Sequence, residues 1–501
     1  MQKLIFYIAI FCLILVLSMN ANHYDADLWA RLIAGMGVVD GGHVLTQDFL
    51  SYTPVHTWFD HEWGAGVIFY LCLKYFGGYS LIILQAILIF AIFFFISKII
   101  NLKSDKPHNI LFDLFAIIAI MPAINIPVRC HLFSFLFFTI FIYILEKVRL
   151  GNKKLLTIIP FLTLIWGNIH GGVVSGIGLL VMYTIGEALN KKSFKGYLIT
   201  FIISSLTLFI NPWGYEYVKF LLMANTMQRP NIVEWYGIFS KIFITKYILF
   251  KIFIFFTIIT ECVYLIKKKK KSFKEFYNNL DKTKFIILLS TLYLAIIHLK
   301  LISIFTICAC SFTYNDFYEL IKNVKLPAWK DKFVYLFIFI LFGFSIFTKN
   351  YSVPVNFDKY PVKEVEFIKI NNIQGNILTN FGYGSYVAYK LYPQNKIFMD
   401  GRYEEVYYDY MVPIMKEFFI NRNPNLIIDN FRPDIMIIEH NYPIYKSLMN
   451  SKEWKNIYDG ELFTVFIESK KALNPKSYKQ PSNDIDYYKN NLFTTDINFK
   501  L

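Results

Sequence analysis

The chain has 501 residues, of which 55% are hydrophobic and 19% aromatic, while only 17% carry a charge. An average soluble domain carries about 25% charged residues, so this composition excludes an ordinary soluble protein and indicates an integral membrane protein. The formal net charge is +15, but the lysines stand in short runs between apolar segments, which is a pattern of membrane topology and not of nucleic-acid binding. The six cysteines show no CxxC spacing, so neither a disulfide framework nor a zinc knuckle is predicted.

The first apolar segment, residues 4–20, is followed by an unusually polar stretch. Residues 23–63 contain six carboxylates, four histidines and three tryptophans. Ionisable side chains are costly at a bilayer, so a dense cluster beside an apolar segment predicts a functional site. The first segment could also be read as a signal peptide, and the cluster would be external in either case.

About eleven segments are long and apolar enough to be considered as membrane-spanning helices, which need roughly 20 residues. They are 4–20, 79–100, 110–126, 132–147, 155–169, 173–189, 196–211, 244–266, 284–298, 301–318 and 333–349. Lysine-rich loops alternate with loops that contain His, Trp, Asn and Pro. The lysine-rich loops are predicted to be cytoplasmic, together with the N-terminus. Residues 64–76 are predicted to lie along the interface, because a crossing there would place the lysine runs outside.

From about residue 350 the apolar runs shorten to strand length, at 376–380, 396–399, 434–439 and 462–467. Helical patterns lie near 408–419 and 442–449, and Asp459-Gly460 is a hairpin signal. The predicted organisation is a polytopic α-helical membrane domain over 1–349 with a first external loop at 21–78. A small extramembrane α/β domain over 350–470 and a polar tail over 471–501 follow. An odd number of spans places the α/β domain outside.

The Asp25-x-Asp27 pair carries two carboxylates that point the same way in extended backbone, so both can reach one divalent cation. Plain solvation past a helix end is the alternative. The predicted catalytic acids are Asp25, Asp27, Asp60 and Glu62. The predicted metal ligands are Asp25, Asp27, Asp48 and His61, and the excess of carboxylates favours Mg²⁺ or Mn²⁺ over zinc.

Three tryptophans flank these acids: Trp29, Trp58 and Trp63. An aromatic belt at headgroup depth explains them better than stacking on a sugar does.

Cationic side chains in the other external loops could bind a phosphate. An arginine can hold a phosphate bidentately, although a membrane-facing arginine can also extend toward headgroups. The predicted phosphate ligands are Arg129, His131, His170 and Lys300. Asn168 lies beside a glycine turn that can equally be a tight helix–helix connection, and Glu234 is a candidate third acid.

Several of these motifs resemble a group of bacterial multi-pass membrane proteins similar to GT-C glycosyltransferases. The motifs are QDFLSYT and WFDHEW in the first loop, then IWGNIHGG, INPWG and VEWYG, and GNILTNFGYGSYVAYKLYP and KIFMDGRYEEVY in the C-terminal domain. GT-C enzymes include oligosaccharyltransferase catalytic subunits and protein O-mannosyltransferases, and the resemblance covers about residues 20–470.

The resemblance implies that a sugar on a polyprenyl phosphate or diphosphate binds between the helical bundle and the first external loop. An early acid, Asp25 or Asp27 here, would act as base or hold the metal. Two features depart from the pattern: the WWD-type acceptor motif of oligosaccharyltransferases is absent from the sequence, and the later metal-binding acids are not clearly placed. Metal dependence therefore stays open.

The predicted function is sugar transfer from a polyprenyl-phosphate-linked donor to an unidentified acceptor on the outer face of a bacterial inner membrane, with the C-terminal domain periplasmic. Besides the donor, membrane lipid is the expected partner, and nucleic acid is not. One alternative is a surface-polysaccharide polymerase or ligase that needs no metal. Another is a transporter or flippase, although the paired repeats typical of transporters are not visible. A third is a non-enzymatic assembly protein.

Overall fold

The computed structural model describes residues 2–20, 26–102, 116–117, 128–227, 229, 232–267, 273–321, 330–348, 360–473 and 477–499. Its contacts divide the chain into two compact units. Unit 1 comprises residues 1–21, 82–126 and 130–350, and unit 2 comprises residues 22–81, 127–129 and 351–501. The predicted domain boundaries stay a prediction, and the contacts divide the chain in another way, because they group the first external loop with the C-terminal residues.

Helices form most of the described chain. The first fourteen are α1 (Gln2–Asn20), α2 (Ala26–Val39), α3 (Trp63–Phe76), α4 (Tyr79–Leu102), α5 (His131–Arg149), α6 (Ile158–Ile169), α7 (Val173–Leu189), α8 (Lys195–Thr207), α9 (Tyr215–Thr226), α10 (Ile248–Lys267), α11 (Phe273–Asn279), α12 (Lys282–Ile297), α13 (Ile302–Ile321) and α14 (Lys330–Thr348). The C-terminal helices are α15 (Val362–Ile370), α16 (Phe381–Leu391), α17 (Tyr403–Val406), α18 (Met411–Phe419), α19 (Asn425–Phe431), α20 (Pro443–Met449) and α21 (Ile485–Asn490).

Three of the described helices, α4, α5 and α10, are long and apolar enough to cross a membrane. Shorter apolar stretches are Leu4–Met19, Trp63–Phe76, Val173–Leu189 and Lys332–Phe344. The chain is therefore a mainly helical membrane protein. The number of about eleven spans stays a prediction, and the span predicted at 110–126 lies almost entirely outside the described residues.

Unit 1 contains buried ionisable side chains on its helices, which the sequence analysis did not predict. The Arg149 guanidinium lies 2.9 Å from Glu187, 3.1 Å from Glu146 and 2.8 Å from Asp281. A charge removed from water is tolerated when it is paired in this way. A second such cluster consists of Lys284, Glu261 and Asp316.

Unit 2 contains a five-stranded mixed sheet with the order β2-β1-β3-β5-β4. The strands are β1 (Gly375–Leu378), β2 (Asn395–Ile397), β3 (Ile435–Glu439), β4 (Trp454–Asp459) and β5 (Phe463–Glu468). β1 pairs in parallel with β2 and β3, while β5 is antiparallel to β3 and β4. The central strand β3 is an uninterrupted apolar run, as expected for a strand buried on both faces. The hairpin predicted at Asp459-Gly460 is confirmed by the β4–β5 pairing.

The first external loop extends this sheet. Ser51 forms a parallel bridge with Ile397, and Val55 an antiparallel bridge with Tyr407. Farther along, the Phe59 amide donates to the Glu405 carbonyl at 3.0 Å. The loop and the C-terminal sheet therefore form one folded body, in which α2 and α3 also pack against each other.

Candidate functional site

Helix α2 carries the first predicted acid at its beginning. Asp27 lies in the first turn, where the helix dipole favours a negative charge. Its backbone is helical, so the extended conformation expected for the Asp25-x-Asp27 pair is not found at Asp27. Asp25 lies outside the described residues.

The Asp27 carboxylate lies between a guanidinium and a turn of the C-terminal sheet region. Its side chain is 41% exposed, and Oδ2 is 3.8 Å from the nearest guanidinium nitrogen of Arg129. On the other side, a Cβ added to Gly401 would come within 2.7 Å of Asp27 Oδ1. The predicted acid and the predicted phosphate ligand Arg129 are thus neighbours in unit 2. A solvent-accessible carboxylate beside a guanidinium is suited to accept a proton next to a bound anion.

One turn after Asp27, α2 carries a buried arginine that contacts three carboxylates. Arg31 is 3% exposed. Its Nε lies 3.0 Å from Glu62, one terminal nitrogen lies 2.8 Å from Glu405, and the other contacts Asp60. His61 joins this group through Nδ1, which is 2.9 Å from Glu405 Oε1. This Arg31 cluster connects α2, the first external loop and α17.

The charges in the Arg31 cluster adjust one another. Burial alone would lower the pKa of His61, but Glu405 and then Glu62 raise it to about 9. Burial would raise the pKa of Glu405, but Arg31 and His61 outweigh it and hold that pKa below its usual value. Burial raises the pKa of Asp60 to about 6, against the effect of Arg31. Two positive groups therefore face three carboxyl groups near neutral pH.

This geometry corrects two predicted catalytic assignments. Asp60 is 1% exposed and Glu62 is also largely buried, and both bind Arg31. A carboxylate held in this way cannot meet an acceptor without breaking an internal ion pair. Asp60 and Glu62 fix the position of α2, and Asp27 is the described acid that solvent reaches.

A second buried cluster accounts for Asp48, which was predicted as a metal ligand. Its Oδ1 lies 2.6 Å from the Arg402 guanidinium, and it accepts the backbone amides of Leu50 and Ser51. Arg402 also pairs with Asp400 at 2.9 Å, and the two acids and the arginine have side chains that are fully buried. Asp48 therefore joins the loop to the sheet and has no oxygen facing solvent for a metal.

The tryptophans of the cluster are packing residues. Trp29 and Trp58 are both fully buried, so neither forms an aromatic belt nor stacks on a sugar. The Trp58 indole donates to Glu405 at 3.2 Å and lies 4.6 Å from the Arg402 guanidinium. Trp63 is the first residue of α3.

The predicted residues of unit 1 take part in turns between helices. His170 Nδ1 lies 2.6 Å from Ser134 Oγ and 2.8 Å from the Gly172 amide. Asn168 donates to backbone carbonyls at positions 164 and 210, both at 2.9 Å. These contacts correspond to the tight-turn interpretation of this motif. His131 begins α5, with its ring 5.1 Å from Phe135.

Lys300 lies in a cationic and aromatic group of unit 1. Its Nζ is 3.3 Å from the centre of the Trp235 ring, and the Arg229 guanidinium is 4.3 Å from the same ring. His298 Nδ1 lies 2.9 Å from the Trp235 carbonyl oxygen. Cations placed over an indole in this way are attracted by its ring electrons. Glu234 precedes Trp235 in the same short turn, Val233–Trp235.

Sequence reasoning missed three residues that organise unit 2: Arg31, Glu405 and Arg402. Arg31 had a usable signal, because it is the only lysine or arginine between Lys3 and Lys74 and lies in an apolar helix. Glu405 had none, since its partners are more than 340 residues away in the chain.

No protein-family model matches the sequence, and no curated protein matches it. Solved structures of the Archaeoglobus fulgidus oligosaccharyltransferase are similar to it. The crystal structure with a disulfide-tethered acceptor peptide containing the NVT sequon gives a TM-score of 0.56 at 10% identity, covering 87% of this chain and 69% of that one. The apo form gives 0.54 at 9% identity, covering 86% and 69%.

A third structure is that of the A. fulgidus enzyme AglB in complex with an inhibitory peptide and a dolichol-phosphate. It gives a TM-score of 0.54 at 9% identity, covering 97% of this chain and 77% of that one. At this level of identity the similarity establishes the fold. The chain therefore has a fold that resembles that of a GT-C enzyme.

Proposed function

We propose that this protein is a membrane glycosyltransferase that moves a sugar from a polyprenyl-phosphate-linked donor to an acceptor outside a bacterial inner membrane. The fold similarity to an oligosaccharyltransferase, which covers 86–97% of the chain, carries the proposal. The Asp27–Arg129 pair supports it independently, because it brings an accessible base next to a phosphate-binding group.

In the proposed reaction, an acceptor hydroxyl or amide attacks the anomeric carbon of the donor sugar. The bond from that carbon to the phosphate oxygen breaks, and its electron pair leaves with the lipid phosphate. Asp27 takes the proton released by the acceptor, and the Arg129 guanidinium stabilises the charge on the departing phosphate. His131, His170 and Lys300 stay predicted phosphate ligands. They belong to unit 1, where their contacts are those described above.

The predicted metal set does not fit the described residues. Asp48 is bound to Arg402, and His61 is bound to Glu405. Asp27 is the one described member of that set with a partly exposed carboxylate, and a single carboxylate from the protein is fewer ligands than Mg²⁺ or Mn²⁺ sites use when substrate is absent. No step of the proposed reaction passes through a metal, and activity is expected to survive chelation with EDTA. Because the set is not assembled, a metal-independent polymerase or ligase of surface polysaccharide is the second candidate.

The test uses the full-length protein in nanodiscs, supplied with lipid-linked glycans extracted from its source cells. Mass spectrometry measures the release of polyprenyl phosphate or diphosphate and the glycosylated product. The variant Asp27→Asn is expected to reduce release at least a hundredfold, because it removes the base without changing the size of the side chain. Asp409→Asn, at an exposed position of unit 2, is the matched control with unchanged release.

The identity of the product separates the two candidates. Transfer to protein or lipid acceptors supports the transferase, whereas extension of the donor glycan supports the polymerase. Full release by Asp27→Asn overturns both assignments of Asp27, and a wild-type protein that releases no lipid phosphate overturns the proposed function.

A further inference from the structure

The last described residues alternate strictly between inward-facing and exposed positions. From Phe493 to Phe499 the odd-numbered residues are buried or partly buried, and the even-numbered residues are exposed. The inward positions hold Phe493, Thr495, Ile497 and Phe499. This period of two is that of an extended segment lying against a folded body. The predicted polar tail over 471–501 thus contains a segment in which only every second residue faces water.

Helix α16 holds the start of this segment through a buried lysine. Lys390 is 8% exposed, and its ammonium group donates to the backbone carbonyls of Asn491 at 2.7 Å and Thr494 at 2.8 Å. The neighbouring Tyr389 hydroxyl donates to the Phe493 carbonyl at 2.8 Å. A buried ammonium satisfied by main-chain oxygens fixes the path of the backbone, whatever side chains those residues carry.

The same segment contacts both ends of α2. The Phe493 ring lies 5.8 Å from Trp29, which is two residues after Asp27. At the other end, a Cβ added to Gly41, just past the helix, would meet Phe499 Cβ at 3.0 Å. Six extended residue steps from 493 to 499 span about 20 Å at ~3.3 Å each. Twelve helical steps from 29 to 41 span about 18 Å at ~1.5 Å each, so the segment matches the length of the helix.

We propose that residues 491–499 are a strap that positions α2, and that Lys390 and Phe493 are therefore positioning residues for Asp27. Trp29 links the two. Its indole is enclosed by Tyr386 at 5.1 Å, Tyr389 at 5.2 Å and Phe493 at 5.8 Å, and the strap supplies the last of these rings. Without the strap, one side of Trp29 loses its cover and the first turn of α2 loses its fixed position. The consequence for catalysis rests on the proposed function, whereas the order of α2 does not.

Hydrogen–deuterium exchange on the full-length protein and on a variant ending at Asn490 tests the strap directly. Residues 26–39 are expected to exchange at least tenfold faster in the truncated variant, because local opening of α2 becomes easier. The β4–β5 hairpin (454–468) and α5 (131–149) are expected to keep their wild-type rates. Unchanged exchange over 26–39 overturns the proposal.

Two further variants cover the case in which truncation unfolds all of unit 2. Phe493→Ala keeps the main-chain contacts of Lys390 and is expected to loosen α2 alone. Lys489→Ala is the matched control, since this exposed-surface lysine pairs only with Asp486 at 2.9 Å. Wild-type exchange over 26–39 in Phe493→Ala overturns the assignment of Phe493.

Adding the strap back as a peptide separates positioning from general stabilisation. The synthetic peptide NLFTTDINFKL is expected to restore slow exchange over 26–39 in the truncated protein, and a peptide with alanine in place of Phe493 is not. The same additions are expected to restore and to fail to restore lipid-phosphate release. If exchange responds but the wild-type protein releases no lipid phosphate, the strap stands and the proposed function fails.

Discussion

Asp27 and Arg31 lie one helical turn apart on α2, in opposite environments. The Asp27 carboxylate is partly exposed and lies beside Arg129, whereas the Arg31 guanidinium is buried among three carboxylates. Residues four apart lie on the same face of a helix. Because Arg31 is anchored so firmly, it determines which way this face points, and Asp27 is carried with it.

Replacing Arg31 is expected to destabilise unit 2 severely. Arg31→Met keeps much of the apolar volume but leaves three carboxyl groups without their shared cation, and breaking a buried pair in this way costs about 3–5 kcal/mol. The thermal midpoint of the detergent-solubilised protein is expected to fall. Arg422→Met is the control, because its side chain is 72% exposed and its pair with Glu417 is long at 3.7 Å. Equal midpoints for the two variants would contradict the anchoring role.

Stability is expected to decrease between pH 6.5 and pH 9 through His61. Its pKa is raised to about 9 in the folded protein, mainly because Glu405 outweighs the effect of burial. The folded state thus binds a proton that the unfolded state has already released, so the stabilisation is complete below about pH 6.5 and is lost as the pH rises to about 9. Thermal midpoints across this range measure it.

His61→Asn is expected to flatten this part of the pH profile. His43→Asn, at an exposed position in the same loop, is expected to leave the slope unchanged. A profile of His61→Asn that parallels the wild type would contradict the contribution of His61.

A second, lower pH window is expected from Glu364 on α15. This residue is 4% exposed, and burial raises its pKa from 4.5 to about 7. For a carboxyl group with a raised folded pKa, the contribution is complete below about pH 4.5 and is lost as the pH rises to about 7. The loss has an upper bound of about 3 kcal/mol.

Glu364→Gln removes this titration. Its thermal midpoint is expected to exceed that of the wild type at pH 7.5 and to approach it at pH 4.5. Glu366→Gln is the control on the same helix, because Glu366 binds the Tyr487 hydroxyl in an exposed contact. The opposite order of midpoints at pH 7.5 would rule out a buried neutral Glu364.

Gly401→Ala is expected to displace Asp27 without unfolding the protein. The new methyl group would approach Asp27 Oδ1 to 2.7 Å, and a carboxylate can turn away from it at little energetic cost. A misplacement of about 1 Å can reduce turnover by about a hundredfold, so lipid-phosphate release is expected to fall while the thermal midpoint stays near the wild type. Gly382→Ala is the control, since its new methyl group would meet nothing closer than 3.4 Å. Wild-type release by Gly401→Ala would show that Asp27 is not confined there.

The sequence was sufficient for features that depend on neighbours in the chain. Composition predicted a membrane protein, strand-length apolar runs predicted β1, β2, β3 and β5, and Asp459-Gly460 predicted the hairpin. The acid Asp27 and its neighbour Arg129 were also chosen from local context. The roles of the other acids could not be read locally, because a carboxylate in a charged loop looks the same whether it faces solvent or an arginine.

The missing information was long-range pairing. Asp60 was predicted to be catalytic because its partners, Arg31 and Glu405, could not be inferred from spacing. The strap was predicted as a polar tail, since three polar outward residues hide the alternation of four inward ones. Only the folded sheet shows which residues face inward.

Unit 2 is assembled from distant parts of the chain, and this affects how the protein is made. Arg31 is separated from Glu405 by 374 residues. At ribosomal rates of 5–20 residues per second, about 20–75 s pass between their synthesis. During that time the charged loop has left the membrane insertion machinery without its partners, so a chaperone on the far side of the membrane has a defined interval in which to hold it. A chain interrupted anywhere before residue 405 leaves that loop permanently without the scaffold on which it folds.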